Sequence, residues 1–143
     1  KILCTIFKQG QHITSAYLRL DRKRREVNYL NAGHLPIIYI PKTRDIQLLE
    51  ANNGIIGTFK DTLFTYNTID ADPGDKFLLI TDGLVESFAK IKMTRSEGME
   101  KLLTVIKEHR NKPIINLVAI IMNEMFVGGR ILDDDVVILL TEF

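Results

Sequence analysis

Two acidic turns, each joined to an apolar run, carry the chemistry this sequence could do. Thr81-Asp82-Gly83 follows Phe77-Leu78-Leu79-Ile80, and Asp133-Asp134-Asp135 precedes Val136-Val137-Ile138-Leu139-Leu140. A carboxylate at the end of a buried strand loses its hydration, and a cation shared between two such groups offsets that loss. Hard oxygen donors on strand ends suit Mg²⁺ or Mn²⁺. Such ions activate a bridging water and neutralise charge on a phosphate, so phosphoryl hydrolysis is the leading chemistry. Asp82 and Asp134 are the candidate ligands, and Gly83 allows close backbone approach beside Asp82. Each feature also has an ordinary reading. Asp-Gly is a common turn dipeptide, and an acidic triplet also fits a solvated loop or a helix-to-strand connection.

Other reactive residues weigh less. His34 sits in a Gly-His-Leu-Pro corner, where it can act as a general acid or simply hydrogen-bond the turn backbone. Cys4 lacks the short anion cradle closed by arginine that a cysteine phosphatase needs, and Gly10 stands where that arginine is expected. The run Arg22-Lys23-Arg24-Arg25 reads as a solvated hairpin tip. It has no interleaved aromatics to stack bases, so nucleic-acid binding is not expected.

The elements that must position these residues are mostly strands in the first half. Residues 13–20 and 26–31 read as a hairpin around the polar 21–25 turn, with a tight corner at Ala32-Gly33-His34-Leu35-Pro36. Gly33 is free to take positive φ there. Residues 37–40 and 46–49 read as short strands, and 63–69 alternates as a further one. Asp72-Pro73-Gly74-Asp75 is a turn feeding the strand that ends at Thr81. Residues 84–89 fit a short helix. Residues 96–109 fit an amphipathic one, with Met99, Leu102, Leu103 and Ile106 on one face. Pro113 suits the first turn of a second helix running to about Phe126, which Gly128-Gly129 stops. Residues 136–141 return to strand.

The chain has 143 residues, 45% hydrophobic and 26% charged, which fits one domain with its own core. Its 19 basic and 18 acidic residues give a net charge of +1, so the chain as a whole is not built for polyanions. A single cysteine excludes an internal disulfide framework and points to a reducing, cytoplasmic setting. The longest apolar stretch, residues 114–127, is broken by Asn116, Asn123 and Glu124 and is too short and polar for a membrane span. No signal peptide is visible, and an opening Lys1 suggests a piece of a longer chain, whose remainder could include a membrane anchor.

The order of the motifs identifies a family. His12-Ile13-Thr14-Ser15-Ala16-Tyr17, Leu20-Asp21, Asn31-Ala32-Gly33-His34-Leu35-Pro36, Gly54-Ile55-Ile56-Gly57, Pro73-Gly74-Asp75, Thr81-Asp82-Gly83-Leu84-Val85-Glu86 and Asp134-Asp135-Val136-Val137 follow one another along nearly the whole chain. This set resembles the SpoIIE/RsbU-type branch of the PPM metal-dependent serine/threonine phosphatases. The resemblance implies an α+β fold, a sandwich of two mainly antiparallel sheets flanked by helices, with a dinuclear Mn²⁺ or Mg²⁺ centre at one end. Asp82 and Asp134 match metal-ligand positions. Gly83 and Asp135 lie beside the metal, and no side chain is given a catalytic role beyond the metal-bound water.

The resemblance also implies hydrolysis of phosphoserine or phosphothreonine on a regulatory protein of the anti-sigma-factor antagonist (STAS) type, in bacterial signalling. It implies a sensor or receiver domain upstream in the parent chain. Three departures stand out. An earlier Asp-Gly metal motif, expected in a strand-helix unit before Ile13, has no counterpart here. Val137 replaces a threonine, and Ile55-Ile56-Gly57 replaces Pro-Leu-Gly. Residues 1–143 are therefore expected to be the C-terminal part of a phosphatase domain, with a metal site that is absent or partial in this segment. The alternative is an inactive phosphatase-fold module that binds a regulatory protein. Open sheet edges and the apolar 113–126 helix lead to an expected homodimer.

Overall fold

The computed structural model describes residues 11–58, 61–86, 94–126 and 134–143. Cys4, Asp133, Gly128-Gly129 and the end of the 84–89 helix lie outside the described residues. Within them the strands are β1 (Ser15–Asp21), β2 (Glu26–Ala32), β3 (Ile37–Ile40), β4 (Gln47–Leu49), β5 (Asn67–Asp70), β6 (Lys76–Ile80) and β7 (Ile138–Glu142). The helices are α1 (Gly83–Glu86), α2 (Arg95–His109) and α3 (Ile114–Met125). Two antiparallel sheets result, one ordered β1-β2-β5 and the other β4-β3-β6-β7. This is the expected α+β sandwich.

The alternation of side chains sorts the core into two layers. On β3 and β6, Ile38, Ile40, Leu78 and Ile80 face the helices, where they meet Leu102, Ile106, Leu117 and Ile121. Ile37, Tyr39 and Phe77 point the other way and meet Val27 and Tyr29 from the three-stranded sheet. Strands covered on both faces are largely apolar, which is why Ile37–Ile40 and residues 77–80 read as hydrophobic runs. β1 and β2 have one wet face and alternate instead, with Tyr17 and Arg19 exposed and Val27 and Tyr29 buried.

Local signals set the ends of the elements. Thr94 caps α2 by accepting from the Glu97 amide at 3.3 Å, while the Glu97 carboxylate accepts from the Thr94 amide at 2.6 Å. This reciprocal box starts the helix at Arg95, one residue before the sequence expectation. Pro113 is the N-cap of α3 and not a residue of its first turn. The larger correction concerns residues 63–69, where strand begins only at Asn67. The Asn53 side chain accepts from the Thr65 amide at 2.9 Å and donates to the Thr65 carbonyl at 2.7 Å. A side-chain amide thus satisfies the backbone groups that a neighbouring strand would have paired.

The Pro-Gly-Asp turn before β6 is anchored by its acid. Asp75 is only 2% exposed. It accepts from the Tyr39 hydroxyl at 2.5 Å, the Asp72 amide at 2.9 Å and the Lys42 amide at 2.9 Å, with the Arg44 guanidinium 3.7 Å away. Burial opposes its charge, but these donors and Arg44 outweigh it and hold the carboxyl below its ordinary 3.8. Burial and then the Asp75 carboxylate push the Tyr39 hydroxyl well above its ordinary 10.0. The depressed acid contributes stability that is present above 3.8 and lost as pH falls through its folded value. The raised phenol contributes stability that is present below 10.0 and lost as pH rises through its folded value. Tyr39→Phe should cost about 1–3 kcal/mol at neutral pH and shift the acid unfolding midpoint upward, read by urea unfolding across a pH series. An unchanged acid midpoint would contradict this role for the pair.

Candidate metal centre at the end of the central strand

β6 delivers Thr81-Asp82-Gly83 to one end of the four-stranded sheet, and β7 pairs with it from Ile80↔Ile138 to Lys76↔Glu142. The pairing extends past the strands through Thr81. Its amide donates to the Val137 carbonyl at 3.1 Å. Its hydroxyl donates to the Asp135 carbonyl at 2.9 Å and accepts from the Val137 amide at 2.8 Å. One side chain therefore ties the strand end to the acidic segment 54 residues further along.

Gly83 completes the junction. A Cβ placed there would lie 2.5 Å from the Asp135 carbonyl oxygen and 3.1 Å from that of Asp134. The close approach expected at Gly83 is thus the approach of the second acidic backbone. α1 begins at this point, with the Val85 and Glu86 amides donating to the Asp82 carbonyl at 2.9 and 2.8 Å.

Asp82 and Asp134 have matching local geometry. Asp82 Oδ1 accepts from the Gly83 amide at 3.1 Å, and Asp134 Oδ1 accepts from the Asp135 amide at 2.7 Å. In each case Oδ2 has no protein donor among the described residues. The structure corrects one step of the sequence argument. Asp82, Asp134 and Asp135 are all exposed, so no burial penalty demands a cation. What favours one is the backbone contact that joins the two acidic segments. Their donor set is all oxygen and fits a hard divalent ion. Among the described residues no group of three or more His, Cys, Asp or Glu is arranged to hold a metal.

His34 serves its turn. Its amide donates to Asn31 Oδ1 at 2.9 Å, and its Nδ1 lies 3.2 Å from the Leu35 carbonyl. Fully buried Asn31 also donates through Nδ2 to the Leu35 carbonyl at 2.9 Å. Gly33 has φ +70°, and a Cβ there would collide with Ile55. The Asn-Ala-Gly-His-x-Pro corner is therefore a structural staple. Sequence reading missed the roles of Thr81 and Asn31. A Ser or Thr directly before an Asp-Gly turn and an Asn three residues before a His were the available signals.

The model of the family Stage II sporulation protein E (SpoIIE) matches residues 1–143. The chain belongs to the SpoIIE family. Phosphoserine phosphatase RsbP of Bacillus subtilis (strain 168) is 29% identical over 106 residues, which is 74% of this chain and 24% of RsbP. In fold the chain is similar to the RsbU and RsbW domains of a Mycobacterium tuberculosis protein, with TM-score 0.77 and 22% identity over 90% of this chain and 35% of that one. It is also similar to the manganese-presoaked phosphatase domain of SpoIIE from Bacillus subtilis, with TM-score 0.65 and 18% identity over 91% of this chain and 56% of that one. These likenesses agree with the SpoIIE/RsbU branch of the PPM phosphatases. The chain thus spans a minor part of RsbP and of the Mycobacterium protein, and about half of the SpoIIE phosphatase domain.

The SpoIIE-family junction makes two substitutions informative. Thr81→Val should cost about 1–2 kcal/mol by leaving the Asp135 carbonyl and Val137 amide unpaired, while Thr81→Ser retains most of the stability. Gly83→Ala should cost about 1–3 kcal/mol, because its Cβ displaces backbone. Urea unfolding of the three variants checks both, and equal stability of Thr81→Val and Thr81→Ser would contradict the hydroxyl's role.

Proposed function

We propose that this chain is part of the catalytic domain of a metal-dependent protein phosphatase that hydrolyses phosphoserine or phosphothreonine on a regulatory protein. The observation that carries the reading is the Thr81–Gly83 junction, which joins the two distant segments that carry Asp82 and Asp134. Membership of the SpoIIE family and the likeness to RsbP support it. Residues 1–143 form the partial phosphatase domain in this reading.

Asp82 and Asp134 would hold Mn²⁺ or Mg²⁺, which when bound supplies Lewis acidity toward a phosphoryl oxygen and an activated water. The chain's own residues prepare the ligands. The Gly83 and Asp135 amides each hold one oxygen of the adjacent carboxylate and so orient the other. Thr81 fixes the spacing of the two segments, and Asp135 contributes its carbonyl to that lock. Such supporting contacts matter because a metal site is only as rigid as the groups that orient its ligands.

The substrate in this reading is a phosphorylated anti-sigma-factor antagonist of the STAS type, and a sensor or receiver domain elsewhere in the parent chain controls access. No helix among the described residues is long and apolar enough to cross a membrane. A second copy would pack along β7 and the residue before it, where Leu139 and Val137 are each 57% exposed.

The full parent protein, assayed on a phosphoserine peptide with Mn²⁺, should release phosphate. Asp82→Asn and Asp134→Asn should each lower the rate by about 10–100-fold or more. Equal rates in all three proteins would exclude this site. No phosphate release from any of them would favour the binding module over the enzyme.

A further inference from the structure

At the opposite end of β6 the chain concentrates positive charge in a cleft. A cavity of about 840 Å³ is lined by Arg22, Lys42, Lys76 and Lys112, with Glu142 the one carboxylate among its lining residues. That is an excess of cations at one end of a chain whose net charge is only +1. Lys76, 7% exposed, already takes Glu142 at 3.5 Å and donates to the Arg110 carbonyl at 3.0 Å. Arg22 donates to the backbone carbonyl of Glu142 at 3.3 Å, a neutral acceptor, and has no ion-pair partner among the described residues. Lys42 and Lys112 are exposed, and neither ammonium has an ion-pair partner among the described residues. The walls between these cations are apolar, including Leu140 and Ile115, the latter 80% exposed.

A second cavity of about 580 Å³, lined by Arg22, Arg25, Pro73 and Phe143, adjoins the first through Arg22. Together they form a groove in which Arg25 is paired with Asp72 and Lys76 with Glu142, leaving Arg22, Lys42 and Lys112 as the cations without an ion-pair partner among the described residues, beside apolar walls. We propose that this groove docks an acidic, partly apolar peptide segment of a protein partner. Its length and its exposed isoleucine favour such a segment over a compact inorganic anion, which would use the cations alone. Unpaired charges on a groove steer and orient a partner of opposite sign. β6 separates the groove from the Thr81 junction by about 16 Å, so the occupant would dock without touching the acidic site. The proposal stands independently of the phosphatase reading.

The test is fluorescence anisotropy on the full parent protein with a labelled synthetic peptide of alternating Glu-Glu and Leu-Leu pairs. Lys42→Glu combined with Lys112→Glu should weaken binding at least tenfold while leaving circular dichroism unchanged. Both side chains are exposed and have no ion-pair partner among the described residues, so the described fold does not depend on their charge. Ile115→Ser should weaken binding several-fold without altering its salt dependence. Unchanged affinity in the charge-reversed protein, or absence of peptide binding, would overturn the proposal. Tripolyphosphate, an all-glutamate peptide or a short DNA duplex binding as tightly as the amphipathic peptide would also overturn it, by showing a general anion site.

Discussion

One hydroxyl at the end of β6 fixes how the two acidic segments meet. The Thr81 hydroxyl donates a hydrogen bond to the Asp135 carbonyl and accepts one from the Val137 amide, while the Thr81 amide donates to the Val137 carbonyl. These three bonds continue the β6–β7 ladder beyond the point where the strands end. They work only because residue 83 has no side chain, since any Cβ there would displace the Asp135 carbonyl. A polar lock and a missing atom together set the separation of Asp82 and Asp134. The chemistry proposed for the site inherits its geometry from them.

The lock is rigid because the strand that carries it is held along its length. Phe77 stacks on Tyr39 with ring centroids 4.8 Å apart, and Leu78 and Ile80 bury against the helices. At the far end Asp75 gathers the Tyr39 hydroxyl and two backbone amides. Displacing Thr81 would therefore strain a strand packed on both faces and anchored at its start. Two carboxylates on such a support lose little freedom when an ion joins them, whereas the same pair on mobile loops would pay that ordering cost on binding.

The elements most legible in the sequence were those with local punctuation. The 21–25 turn, Pro41 and the Asp72-Pro73-Gly74 turn bracket their strands, and β3 was read with its observed ends. The alternation at 63–66 misled because Asn53 satisfies the Thr65 backbone from another segment, and no periodicity reports that. Asp82, Asp134 and Gly83 were visible because their types and flanking runs are unusual. Their exposure was not visible, and it changes why a cation would bind. The roles of Thr81 and of Asn31 in its corner could not be weighed from spacing alone, since both depend on which carbonyls the fold brings within reach.

Asp82 and Asp134 would act as one site because Thr81 joins their segments. The most direct measurement is a double-mutant cycle for Mn²⁺ affinity in the full parent protein, comparing Asp82→Asn, Asp134→Asn and the double variant by calorimetry. A shared ion predicts that each single substitution weakens binding and that the double falls well short of their sum, because the first loss already removes much of what the second would take. Effects that add to within about 0.5 kcal/mol, or single substitutions without effect, would mean that the two carboxylates do not share an ion.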